Sequence, residues 1–264
     1  MSPVSPAPRP DPRAIPGHRL WIPRQHGAWA MLLLPVLLGV AASTPSPWQL
    51  VVAVEALAAY LASATYQTWS RSRRPPAYRA PLVVYGTVAV VVGAALLVAF
   101  PALLLAGVVV VPLGIVVIRG AQPGTRRDLA NSLAQLAQAL ALVPVTAYVS
   151  GDFDPRTVLA YTLVAAGYQV GTVLVVRSVL RERGNDAFAA LSAGFHVVLV
   201  VLAAIALPPP YAVIAVGLAV RAVALPIVQR RLAGGPHPLR PIHVGIVEMV
   251  ASLAVVIVSF TVPA

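Results

Sequence analysis

The sequence has no cysteine, no lysine and only 8 acidic residues in 264. Without cysteine, neither a disulfide framework nor a thiolate metal site can form. Charged residues make up 10% of the chain against 59% apolar; a soluble domain carries roughly 25% charged and 45–50% apolar residues. Side chains this poor in charge cannot cover a surface in water. Aromatic residues are also scarce, at 6%. No basic stretch is interleaved with aromatics, so the net charge of +11 does not have the pattern of nucleic-acid binding. Arginine supplies every basic side chain, so its use in place of lysine at any one position is a matter of composition.

Apolar sequence runs almost unbroken from Ala28 to the C-terminus. A bilayer core about 30 Å thick is crossed by roughly 20 apolar helical residues. Nine segments meet that length: Ala28–Ser46, Pro47–Trp69, Pro81–Ala99, Pro101–Ile118, Asp128–Val149, Thr157–Leu180, Asp186–Leu207, Pro210–Gln229 and Pro241–Val262. The pattern predicts an all-α, polytopic membrane bundle of about nine transmembrane helices over residues 21–264. Residues 1–20 hold six prolines and few large apolar side chains. Such a segment cannot offset its ordering entropy and is read as a disordered tail. It lacks the apolar core of a signal peptide, so the first span is expected to stay in the membrane. Pro35, Pro112, Pro144 and Pro226 fall inside spans and are expected to kink them.

Arginines set the orientation. All except Arg156 and Arg221 fall in the N-terminal tail, at the end of the sixth span (Arg177) or in alternate connections, namely those after the second, fourth, sixth and eighth spans. Cytoplasmic connections are the ones enriched in basic residues, which predicts a multi-pass protein of the cytoplasmic membrane with its N-terminus inside and its C-terminus outside. Trp21, Trp29, Trp48 and Trp69 fall near span ends, where indoles settle at the interface.

Polar groups within or beside spans are costly against lipid and mark candidate sites. Arg24 and His26 stand directly before the first span, as interfacial anchors or as ligands for an anionic headgroup at a helix N-terminus. Tyr60, Ser63, Gln67, Arg71 and Arg74 recur at three- or four-residue spacing and form one helical stripe. Arg127, Asn131, Gln135 and Gln138 lie at the start of the fifth span, where interhelical hydrogen bonding is the competing explanation. Arg177, Arg181, Glu182 and Asn185 close the sixth span, with Gln169 and Thr172 carrying polarity deeper. Glu55, Arg221, Glu248, His196 and His243 are scattered; His196 alone on an apolar helix reads as a hydrogen-bonded structural residue. No pair of histidines with a carboxylate shows metal spacing, so no metal and no cofactor are expected.

The run Ile22-Pro23-Arg24-Gln25-His26-Gly27-Ala28-Trp29-Ala30-Met31-Leu32 resembles the N-terminal signature of the YwiC-like membrane-protein family. Val176–Asn185 is similar to that family's second signature, followed by the pair Phe195-His196. The resemblance extends from Trp21 to the C-terminus and implies a polytopic membrane protein without an assigned activity. Nine helices with polar clusters at one face also resemble the UbiA-type intramembrane prenyltransferases, whose Asp-rich motifs follow the second and sixth helices. The corresponding places here are Tyr66–Arg79, without a carboxylate, and Arg177–Asn185, where only Glu182 and the following Asp186 are acidic. That is too few oxygen ligands for the Mg²⁺–diphosphate chemistry of those enzymes.

The functional expectation is a cytoplasm-facing, arginine-rich cavity, lined by Arg24, His26, Gln67, Arg71, Arg127, Asn131, Arg177, Arg181, Glu182 and Asn185. It would bind an amphiphile with an anionic, phosphorylated or isoprenoid headgroup, with the lipid bilayer as the other partner. A prenyl-transfer enzyme with altered activation, a small-solute transporter and a membrane-complex assembly factor are the alternatives.

Overall fold

The computed structural model describes residues 18–22, 26–72, 74–122, 129–235 and 239–264. The tail expected over residues 1–20 lies outside the described residues up to residue 17. A four-residue helix, α1 (His18–Trp21), precedes α2 (His26–Ala41), α3 (Pro47–Arg71), α4 (Arg79–Ala99), α5 (Leu104–Gly120), α6 (Leu129–Leu140), α7 (Leu142–Tyr148), α8 (Pro155–Leu180), α9 (Asp186–Ala206), α10 (Pro209–Leu232) and α11 (Pro241–Thr261). Single 3₁₀ turns lead into α4 and α5. The described residues thus form the expected all-helical, polytopic bundle.

Local sequence places the helix starts. Ser46 caps α3 reciprocally with Gln49, with Pro47 in the first turn. Asp154 caps α8 ahead of Pro155, accepting from the Thr157 N–H at 2.8 Å. The Asn185 side chain caps α9 through the Phe188 N–H. These residues satisfy N–H groups that a helix start leaves without partners, and proline in the first turn forfeits nothing. His243 takes the same part at α11, its Nδ1 accepting from the Arg240 N–H at 3.2 Å.

Among the described residues, seven helices, α3 to α5 and α8 to α11, are long and apolar enough to cross a membrane. The first and fifth expected spans differ. α2 has 16 residues, about 24 Å at the helical rise, and ends at Ala41 instead of Ser46. Beyond it the chain is held by its neighbours: Ser43 bridges to Phe153, and the Thr44 N–H donates to the Asp152 carbonyl. The fifth span is broken between α6 and α7. Pro144 has no N–H for the Leu140 carbonyl one turn back, which interrupts the ladder at Ala141.

α2 and α8 are the central helices. α2 packs on α3, α6, α7, α8 and α11, while α8 packs on α2, α6, α7, α9, α10 and α11. Their core joins Leu34 and Leu38 to Val143, Ala147, Tyr161, Ala165, Tyr168, Leu218 and Val255. The periphery is apolar as well: Val98 is 83% exposed, Leu105 75% and Ile205 76%. Exposed valine and leucine in long rows on α4 and α5 are incompatible with water and compatible with lipid. The chain is an integral membrane protein.

Candidate functional site

The arginine-bearing ends of α3, α5 and α6 meet. The Arg71 Nη2 donates to the Gly120 carbonyl across 49 residues of sequence. The Asn131 side chain packs on the same glycine; a Cβ there would lie 2.8 Å from the Asn131 Cγ, so a larger residue would displace the amide. Expected site residues from two spans, Arg71 and Asn131, are thereby brought together at a glycine of a third. Around this junction the Arg71 Nε, the Trp69 Nε1 and the Ser70 Oγ are buried without a hydrogen-bond partner among the described residues. Arg74 adopts a left-handed backbone, φ 58°, with its guanidinium 5.4 Å from the Trp69 ring. The upper part of the stripe is used in packing: Tyr60 meets Trp29 edge-on at 5.6 Å, and Gln67 donates to the Ser63 hydroxyl at 3.3 Å.

The second cluster closes α8. Arg177 lies 3.5 Å from Glu182, and Asn185 donates to the other Glu182 oxygen at 3.2 Å. The Glu182 N–H returns to the Arg177 carbonyl, and Gly184 turns the chain with φ 78°, an open left-handed position that suits glycine. Arg177 is mostly buried, at 16% exposure, and its Nε and Nη1 have no acceptor among the described residues. Its guanidinium sits 6.0 Å from the Phe188 ring. Arg181 caps the helix end and is exposed. Behind the cluster, Asp186 and Arg230 form an exposed ion pair between α9 and α10. Arg24 and Arg127 lie outside the described residues, as does the side chain of His26, whose backbone opens α2.

A third group draws together residues that the sequence leaves scattered. Arg221 on α10 and Glu248 on α11 form a buried ion pair through the Nη1 and Oε2 atoms. Thr172 on α8 donates to the same oxygen at 2.8 Å, and the Tyr168 hydroxyl donates to the Glu248 carbonyl at 2.9 Å. The Arg221 Nη2 lies 3.5 Å from the His196 Nε2, and the His196 Nδ1 is 2.7 Å from the Ser192 carbonyl. A carbonyl only accepts, so Nδ1 carries the proton and Nε2 turns its lone pair to Arg221. A Cβ on Gly171 would fall 2.8 Å from that Nε2, so α8 and α9 close on the imidazole only over glycine. The available signal was an opposite-charge pair in two consecutive antiparallel spans. His196 is the hydrogen-bonded residue expected, with the addition of a cationic neighbour.

Glu55 stands apart on α3, against Gly93 of α4, with its Oε2 buried and unpartnered among the described residues. On α6, Gln138 donates to the Val110 carbonyl of α5 at 3.1 Å, the interhelical bond that competes with a ligand role for the amides. Among the described residues, no three histidine or acidic side chains gather closely enough to hold a metal ion. An apolar groove of about 350 Å³ follows the same α5–α6–α7 seam, lined by Leu105, Val109, Ala141, Pro144, Val145 and Tyr148.

The family model described as "YwiC-like protein" matches residues 22–148, from the segment before α2 to the end of α7. The curated "Uncharacterized protein YwiC" of Bacillus subtilis (strain 168) is 30% identical over 193 residues, covering 70% of this chain and 77% of that protein. The chain belongs to the YwiC-like family. No solved structure matches it. The family match holds the Arg71–Gly120–Asn131 junction, whereas α8 to α11, with the other two clusters of this YwiC-like chain, lie beyond it.

Proposed function

We propose that this YwiC-like protein binds an anionic amphiphile at the arginine-bearing ends of its helices, with the headgroup among Arg71, Arg177 and Arg181. Arg24, His26 and Arg127 complete the cationic set. The carrying observation is the surplus of buried donors there: the Trp69 Nε1, the Ser70 Oγ, the Arg71 Nε and two nitrogens of Arg177 all lack acceptors among the described residues. A buried donor without an acceptor costs on the order of 1–3 kcal/mol, more when charged. An anion with several oxygens repays that cost in charge-assisted hydrogen bonds, which suits a phosphorylated head. An acyl or prenyl tail would lie in the apolar groove that α5 and α7 form at Pro144.

In this reading the arginine-bearing face is the cytoplasmic face of the plasma membrane, with the N-terminus inside and the C-terminus outside. Prenyl transfer in the UbiA manner has less support. Glu182, one of two carboxylates available for a cation, is already engaged by Arg177 and Asn185.

Native mass spectrometry of the purified protein tests the proposal. Retention of anionic phospholipid is expected to fall about tenfold or more in Arg177→Ala and Arg181→Ala, while zwitterionic lipid is retained equally by all forms. Unchanged anionic-lipid retention in both variants would overturn it.

A further inference from the structure

Arg221 and His196 lie near the middle of α10 and α9, and Glu248 is the eighth residue of α11, well within the bilayer by span length. Both donors that reach the Glu248 carboxylate fall on one oxygen: Arg221 and Thr172 donate to Oε2, while Oε1 is buried without a partner among the described residues. The side chain is 3% exposed. A bare carboxylate oxygen in so dry a place is an acceptor without a donor. Arg221 in turn has two acceptors within reach, Glu248 on one side and the lone pair of His196 Nε2 on the other.

The charges around Glu248 are few. α10 contributes Arg221, α8 contributes the uncharged Thr172 and Tyr168, and α9 contributes the imidazole behind Arg221. The described side chains of α2, Trp29 and Met31–Ala41, include no ionisable group. On α11 itself, His243 is engaged at the helix start. One guanidinium, one carboxylate and one neutral imidazole therefore form an electrically balanced set.

We propose that this set is a proton-binding site within the membrane. A hydronium ion of the aqueous phase gives its proton to the Glu248 Oε1; one O–H bond forms on the carboxyl, one breaks on hydronium, and water is released. The carboxylate is neutralised, the ion pair to Arg221 is lost, and Arg221 turns its donors to the His196 Nε2. Net charge of the set rises from zero to plus one. The proton joins α8, α9, α10 and α11 in one two-state element, distinct from the headgroup residues. A purely structural ion pair would join the same helices without exchanging a proton.

Infrared difference spectroscopy of the full chain in lipid nanodiscs, titrated over the pH range in which its helices stay intact, decides between the two. Wild type is expected to show the C=O stretch of a protonated, dry carboxyl that comes and goes with pH. Glu248→Gln removes the band, and Glu55→Gln, which removes the buried carboxyl of α3, leaves it. Thr172→Val withdraws one donor from Oε2 and is expected to move the band's midpoint by about one pH unit. Absence of the band in wild type overturns the proposal, as does its persistence in Glu248→Gln. If Glu248→Gln does not fold, Thr172→Val decides: an unmoved midpoint overturns the proposal.

Discussion

Arg177 carries the largest unmet hydrogen-bonding demand at the headgroup end. One nitrogen reaches Glu182 at 3.5 Å and two are buried without acceptors. A charge held this way costs free energy in the unliganded protein, and exchanging it for an apolar side chain of similar length relieves the cost. Arg177→Met is therefore expected to raise the melting temperature of delipidated protein by about 2–4 °C, on the order of 1 kcal/mol, while lowering anionic-lipid retention. Differential scanning fluorimetry with and without added lipid reads both effects. A melting temperature that falls in the delipidated protein would mean that Arg177 serves the fold. At this scale the sequence was informative where polarity follows a helical stripe, as with Arg71 and Asn131, both of which reach Gly120. It was uninformative for Arg221, Glu248 and His196, because their meeting depends on how α9, α10 and α11 pack, which helical periodicity does not encode.

The elements follow their end signals. Ser46, Asp154 and Asn185 open α3, α8 and α9, and among the described residues seven of the nine apolar runs stand as single helices of bilayer length, the other two as the short α2 and the broken α6–α7. Two boundaries were not legible. The premature end of α2 depends on a bridge to Phe153, more than a hundred residues away. The break at Ala141 was visible only as an interior proline, whereas α2, α5 and α10 run through Pro35, Pro112 and Pro226. The Asp154 cap gives a test at this scale. Hydrogen bonds from the Thr157 N–H and hydroxyl hold its carboxyl below the ordinary 3.8. A group whose folded value is depressed contributes above its unfolded value and loses that contribution as pH falls through the folded one. The protection factor of the Thr157 amide, its exchange relative to the free amide at the same pH, should therefore be high at neutral pH and fall only below about pH 4. Equal protection at all pH values in Asp154→Ala and wild type would show that the cap is idle.

For the whole molecule, the distribution of arginine is the strongest topological signal, and the absence of cysteine makes it directly testable. Asp152→Cys, in the α7–α8 connection, is expected to react with a membrane-impermeant maleimide in intact cells. Arg183→Cys, between α8 and α9, should react only after permeabilisation. The reverse pattern would invert the protein and place the headgroup residues outside. α2 and α8 tie the α3–α5–α6 junction and the α8–α9 turn into one body, and in the proposed function both serve a single anionic head. A double-mutant cycle of Arg71→Ala and Arg177→Ala, read as affinity for a phosphomonoester lipid in nanodiscs, is the most direct measurement of that assignment. The two losses are expected to be coupled by about 0.5 kcal/mol or more, the smallest coupling seen for residues sharing a partner. Losses that add to within about 0.3 kcal/mol would contradict it.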